Sequence, residues 1–138
     1  DAPATAAPAV AAQVALARVS LDAGRYDEAR QIFEKALAAY PANAPALNRL
    51  GFANRKLGRL RVARGAYESA ILTDPSFADA ERNLAILLDL YLADPAGAVP
   101  HYERYQTLTG GADAQVAGWL TELRTRLGQA PRKVESQP

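Results

Sequence analysis

Apolar residues recur along this chain with the period of an α-helix, and the periodic blocks are separated by glycine and proline. Ala29, Ile32, Phe33, Ala36 and Leu37 follow the i, i+3, i+4, i+7, i+8 spacing of one buried helix face. Leu47, Leu50, Gly51 and Leu57 mark a second such face, and Leu60, Ala63, Tyr67, Ala70 and Ile71 a third. Gly24 and Gly58 fall where a helix must end and turn back, a position that favours the left-handed backbone glycine adopts cheaply. Pro41 and Pro75 fall just past a helix, where a missing N–H stops propagation. The pattern predicts helices over 9–23, 26–39, 44–57, 60–73, 78–92 and 95–109. A seventh is predicted over 113–127, with Asp113 as N-cap and Gly128 as the stop. Its buried stripe is Val116, Trp119, Leu120, Leu123 and Leu127, with Glu122, Arg124 and Arg126 toward water. No β-hairpin signal is present.

The blocks are copies of one another. A shift of 34 residues places Leu16 on Leu50 and Leu50 on Leu84, Gly24 on Gly58, and Ala29 on Ala63. It also places Phe33 on Tyr67, Ala36 on Ala70 and Pro41 on Pro75. The third copy needs one extra residue, after which Ala63 meets Ala98, Tyr67 meets Tyr102 and Ala70 meets Tyr105. A fixed period of this length is the signature of stacked helix pairs, none of which can bury its apolar face alone. The recurrent alanines are small because two helices must approach to about 8–10 Å there. The aromatics fill the wedge between one pair and the next.

The residues just named resemble the tetratricopeptide repeat, whose pattern asks for a large residue, Leu-Gly, a Gly-aromatic turn, Ala, an aromatic, Ala and a closing Pro. The second copy supplies Leu47, Leu50-Gly51, Gly58, Ala63, Tyr67, Ala70 and Pro75. The first supplies Leu16, Gly24-Arg25-Tyr26, Ala29, Phe33, Ala36 and Pro41. The resemblance implies an all-α, right-handed α-solenoid of three helix pairs plus a C-terminal capping helix. The repeats are expected at about 10–43, 44–77 and 78–111, with the cap at 113–127, in a domain over 9–128. The third copy departs most: it lacks the turn glycine, starts its second helix at Asp94-Pro95 and ends in Gly110-Gly111 rather than Pro. Two readings stay open there, ordinary variation near an array end and a second apolar contact surface around Ile86, Leu90 and Tyr91. Asn54 occupies a packing position that normally holds a large residue, and is expected either to bond across helices or to sit half exposed.

Composition excludes more than it identifies. The 138 residues carry 16 Lys+Arg against 15 Asp+Glu, a formal charge of +1, which argues against nucleic acid as partner. No run is apolar over the roughly 18–20 residues needed to span a bilayer. The absence of cysteine removes disulfides, Cys-ligated zinc and thiol nucleophiles. No cofactor, metal site or catalytic residue is predicted. The sole histidine, His101, has no second His or Cys to join it and is assigned a surface or packing role. No Gly-rich phosphate loop occurs, and the carboxylates are expected on solvent faces in local pairs such as Glu34-Lys35 and Glu81-Arg82. Residues 1–8, within the Ala/Pro-rich DAPATAAPAV, read as a flexible leader following a removed segment, and 129–138 as a disordered tail.

In the family the first helix of each pair lines a concave groove, and the resemblance implies a non-enzymatic scaffold that holds a peptide or helix of a partner protein there. By register the groove residues are Arg18, Asn48, Arg49, Phe52, Arg55, Arg82, Asn83 and Ile86, with Val14, Leu21 and Asp79 beside them. The guanidiniums suit carboxylates, the carboxamides an extended backbone, and Phe52 and Ile86 apolar anchors. An acidic or C-terminal peptide is therefore expected. One branch of the family binds chaperone C-termini through a clamp of lysines, asparagines and an arginine. Its positions here carry Val14, Arg18, Arg49, Asp79 and Asn83, none of them the clamp's own residue, so that partner is not expected. The third copy, NLAILLDLYLADPAGAVPHYERY, followed by the short cap helix, is also similar to small envelope lipoproteins of this family from Gram-negative bacteria. That similarity and the leader imply the periplasm or an outer-membrane anchor lipidated upstream of residue 1, in aid of a pilus or secretion assembly, with a cytoplasmic location as the alternative. Two other functions stay open: a homo-oligomerisation module, and an accessory subunit of an envelope enzyme that binds glycan.

Overall fold

The computed structural model describes residues 6–128, with side chains from Pro8 onward. They form seven α-helices: α1 (Ala6–Asp22), α2 (Tyr26–Ala39), α3 (Ala44–Lys56), α4 (Leu60–Thr73), α5 (Ala78–Ile86), α6 (Pro95–Thr109) and α7 (Ala114–Arg126). A π-helical turn, Leu87–Tyr91, continues α5. No strand occurs among the described residues. Antiparallel pairs α1–α2, α3–α4 and α5–α6 stack in order, and α7 covers the last pair by packing on α6. This is the solenoid of helix pairs expected from the repeat.

The repeated positions do what their sizes require. Ala29, Ala63 and Ala98 are fully buried where paired helices meet, and Phe33, Tyr67 and Tyr102 fill the wedges between pairs. Gly51 shows how close the approach is: a Cβ there would lie 2.6 Å from the Tyr67 ring. At the other end of the wedge position the first pair differs from the rest. Leu50 is half-buried, and Ala53, Leu84 and Leu87 are buried, by the unit before them. Their counterparts Leu16 and Val19 are 56% and 58% exposed, because no unit precedes α1 among the described residues.

Turns follow the sequence as well. Gly24 and Gly58 both have φ of +78°, and Asn43, Asp94 and Asp113 cap α3, α6 and α7 through their side chains. The third copy's extra residue sits in the π turn. Arg25 and Arg59 each donate to the carbonyl five residues back, whereas Asp94 reaches six back to Leu88, and Leu92 bonds Leu87 across the wide turn. Ala93 then takes the left-handed conformation, φ +52°, that glycine takes in the other two copies.

Several expectations are corrected. α1 begins at Ala6, inside the segment read as leader: alanine favours the helix, and Pro8 lies in the first turn, where N–H groups have no helical acceptor anyway. Residues 1–5 and 129–138 lie outside the described residues. Glu81 is not on a solvent face beside Arg82; it is 2% exposed and meets His101 at 2.7 Å and Arg104 at 3.3 Å on α6. Glu34 pairs with Arg30 rather than Lys35, because the i, i+4 spacing brings them together while neighbours in sequence diverge. Arg124 and Arg126 do not simply face water, reaching Glu103 and Asp89. Asn54 fits neither reading: it is fully buried, and its Nδ2 donates back to Leu50 O on its own helix at 3.0 Å. Its Oδ1 has no hydrogen-bond donor.

Candidate functional site

The first helices α1, α3 and α5 are neighbours along the stack and together line one face. All eight residues expected to line it are found on these three helices, but they fall into two groups. One group is engaged within the protein. The other presents aromatic and cationic groups with no carboxylate partner.

In the engaged group, Asn83 Nδ2 donates to Asn48 Oδ1 at 2.9 Å, tying α5 to α3. Asn48 is only 9% exposed, so the pair braces the seam between the two helices. Arg82 turns toward the cap instead of the groove. Its guanidinium lies 5.5 Å from the Trp119 ring, and Nε is 3.7 Å from Asp113 Oδ2. Ile86 is half-buried against the C-terminal core. Asp113 accepts hydrogen bonds from Tyr105 and the Val116 N–H, and these hold its carboxyl below the usual carboxylate range.

The second group is cationic and aromatic. Phe52 meets Tyr26 edge to face at 6.3 Å, and Lys56 rides above both rings, 5.5 Å from Phe52 and 6.0 Å from Tyr26. Arg55 lies between two rings, 5.0 Å from the Phe52 centroid and 4.8 Å from that of Tyr91, and donates to the Tyr91 hydroxyl. Such contacts hold a cation in place without neutralising it. Arg49 is partly buried; that burial and the neighbouring charge of Arg18 lower its pKa, against the opposing effect of Asp22 and Asp79.

Pairing separates this face from the others. Arg25, Arg30, Arg64, Arg104, Arg124 and Arg126 each have a carboxylate within salt-bridge distance. Arg18, Arg49, Arg55 and Lys56 have none among the described residues; Lys35, Arg59 and Arg61, also unpaired, are exposed on other parts of the surface. Lys56, Tyr26 and Tyr91 were not among the expected site residues. Lys56 and Tyr26 flank Phe52, one by sequence neighbourhood and one by the preceding turn. Tyr91 is carried toward Arg55 by the π turn, whose only trace in the sequence is the extra residue of the third copy. The apolar surface considered around Ile86, Leu90 and Tyr91 is thereby reduced. Ile86 is half-buried, while Leu90, 68% exposed, and Tyr91, 44% exposed beneath Arg55, remain at the surface.

Among the described residues no group of three or more His, Asp or Glu side chains is placed to hold a metal ion. His101 Nδ1 sits 2.7 Å from the buried Glu81. No described helix is long and apolar enough to cross a membrane.

A family model described as the tetratricopeptide repeat matches residues 6–51 and 20–85, together more than half of the chain. An Arabidopsis thaliana protein, "Protein CTR9 homolog", is 35% identical over 104 residues, 74% of this chain. The chain spans only 9% of that relative's length. Among solved structures, the first such domain of Spaghetti (RPAP3) bound to an HSP90 peptide superposes with a TM-score of 0.79 at 20% identity, covering 87% of this chain and 96% of that one. The Yersinia enterocolitica type III secretion chaperone SycD in complex with a peptide of the translocator YopD gives 0.81 at 17% identity, covering 87% and 95%. At these identities the likeness is one of fold.

Proposed function

Because the chain belongs to the tetratricopeptide-repeat family, we propose that it is a non-enzymatic scaffold whose α1–α3–α5 face holds an acidic segment of a partner protein. The observation that carries this reading is the set of cations Arg18, Arg49, Arg55 and Lys56, left without carboxylates on one face of a chain whose other helix faces pair most of theirs. An anion arriving there gains charge-assisted hydrogen bonds, and it has no internal carboxylate to displace. Phe52 and Tyr26 offer apolar contact beside the charges. Two structures of similar fold are peptide complexes, which is consistent with a groove of this kind.

The test is a charge reversal confined to the unpaired group. Wild-type protein and the variant Arg49→Glu plus Arg55→Glu would be immobilised and exposed to a random peptide library. Enrichment of Asp- and Glu-rich sequences on the wild type, lost on the variant, is expected; equal enrichment on both overturns the proposal. Arg82 is left alone, because its reversal would strike Asp113 and loosen the cap. An envelope location, in aid of a pilus or secretion assembly, is proposed from the similarity of the third copy to small envelope lipoproteins together with the Ala/Pro-rich first residues. Fractionation of cells making the full gene product tests it, and recovery in the cytosol would overturn it.

A further inference from the structure

The three wedge aromatics sit in the same place in each pair, yet meet different chemistry at their tips. In the first pair the wedge residue is Phe33, with the apolar Leu21 at the matching position of α1, both in the N-terminal core. In the third pair Tyr102 points its hydroxyl at Asp89, 3.5 Å away, and the carboxylate accepts it while also meeting Arg126. In the second pair Tyr67 has Arg55 at that position, a donor rather than an acceptor.

The consequence is a surplus of protons. Tyr67 is fully buried, and its hydroxyl proton finds no acceptor, the group beside it being the Arg55 guanidinium, a donor. The ring cannot back away, since it lies against Gly51 closely enough to exclude even a methyl group. Burial pushes the phenol up to about 12, so it stays protonated at neutral pH and can only be satisfied as a donor by an acceptor from outside. Tyr91 accepts from the Arg55 N–H and is 44% exposed, so its own proton faces water and is free for a ligand. Arg55 uses one nitrogen on Tyr91 and has no carboxylate. A buried donor with no acceptor destabilises the fold, and here it lies beside two further donors that are partly exposed.

We infer that Tyr67, Arg55 and Tyr91 form a carboxylate-binding subsite in the seam between α3 and the π turn. This rests on the reading of the groove as a peptide site and identifies where in it an acidic side chain or C-terminus is seated. A carboxylate that draws the Arg55 guanidinium outward uncovers the Tyr67 hydroxyl, which is sealed in this structure, and then accepts from both phenols and the guanidinium. The π turn is part of the site, because the extra residue brings Tyr91 over Arg55.

Two readouts on the full chain with Tyr67→Phe test this. The first is urea unfolding. A hydroxyl that serves only the fold would leave the variant less stable, whereas an unsatisfied one predicts equal or greater stability; a clear loss overturns the inference. The second is fluorescence anisotropy with a labelled peptide of glutamate, alanine and leucine, against its glutamine counterpart. The wild type should prefer the glutamate peptide, and Tyr67→Phe should bind it about tenfold more weakly, the loss of one hydrogen bond to a charged group. If Arg49→Glu weakens binding but Tyr67→Phe does not, the groove stands and this subsite is wrong. If the wild type shows no preference for glutamate over glutamine, both readings fall.

Discussion

Two glycines in helix interiors give a sharp test of how the pairs pack. Gly51 lies in α3 and Gly65 in α4, and a helix-propensity argument treats them alike: replacement by alanine should gain about 0.8–1 kcal/mol at each. The structure separates them. A Cβ on Gly65 meets nothing within 4 Å, so Gly65→Ala should realise the full gain. A Cβ on Gly51 would lie 2.6, 2.7 and 3.0 Å from three atoms of the Tyr67 ring. That ring is wholly buried between α3 and the next pair, and cannot swing out as a flexible side chain would. Forcing a methyl into such a site costs typically about 1–3 kcal/mol, and a clash with a rigid ring belongs toward the upper end. Against the propensity gain, Gly51→Ala should lose roughly 1–2 kcal/mol net. Urea denaturation followed by circular dichroism, with unchanged m-values, measures both. A Gly51→Ala protein as stable as the Gly65→Ala protein would refute the tight α3–α4 contact.

Other predictions follow from single features. Ala93 holds a left-handed φ of +52°, which costs an L-residue roughly 1–2 kcal/mol; less glycine's entropic penalty of about 0.5–1 kcal/mol, Ala93→Gly should stabilise by up to about 1 kcal/mol in thermal or urea unfolding. Glu81 is buried against His101 and Arg104, so Glu81→Ala should lose about 2 kcal/mol, and only replacement of Glu81 together with both partners by apolar residues should be neutral or stabilising. Burial raises the phenols of Tyr67 and Tyr102. Since the unfolded phenols ionise first, stability is fully present below pH 10 and is lost as pH rises toward 12. At about 1.4 kcal/mol per pH unit, Tyr67 alone accounts for on the order of 3 kcal/mol. Denaturation at stepped pH should show no such fall for Tyr67 in the Tyr67→Phe protein.

The helices, their pairing and most of their ends were legible because local signals and the repeat agreed. Gly24, Gly58, Asn43 and Asp113 each specify a turn or cap by their own chemistry, and period 34 places one pair on the next. The site was legible only as a list of positions. Register puts Arg82 on the groove face with Arg49, but cannot show that Trp119 and Asp113, more than thirty residues later, draw its guanidinium aside. Nor can it show that Glu81 is buried, since that depends on His101 and Arg104 arriving from the next helix. The extra residue of the third copy was visible as a change of spacing. Its effect, a π turn that carries Tyr91 over Arg55, depends on which hydrogen bonds absorb it.

The binding face can be examined without knowing the partner. An isotope-labelled full chain would be titrated with a glutamate-rich peptide at low and high salt while its backbone amide and arginine side-chain signals are followed. An acidic ligand on the α1–α3–α5 face should move the signals of Arg18, Arg49, Phe52, Arg55 and Lys56, and the shifts should shrink as salt screens the charges. Shifts confined to α2, α4 and α6, or none at either salt concentration, would contradict an acidic-segment binding groove.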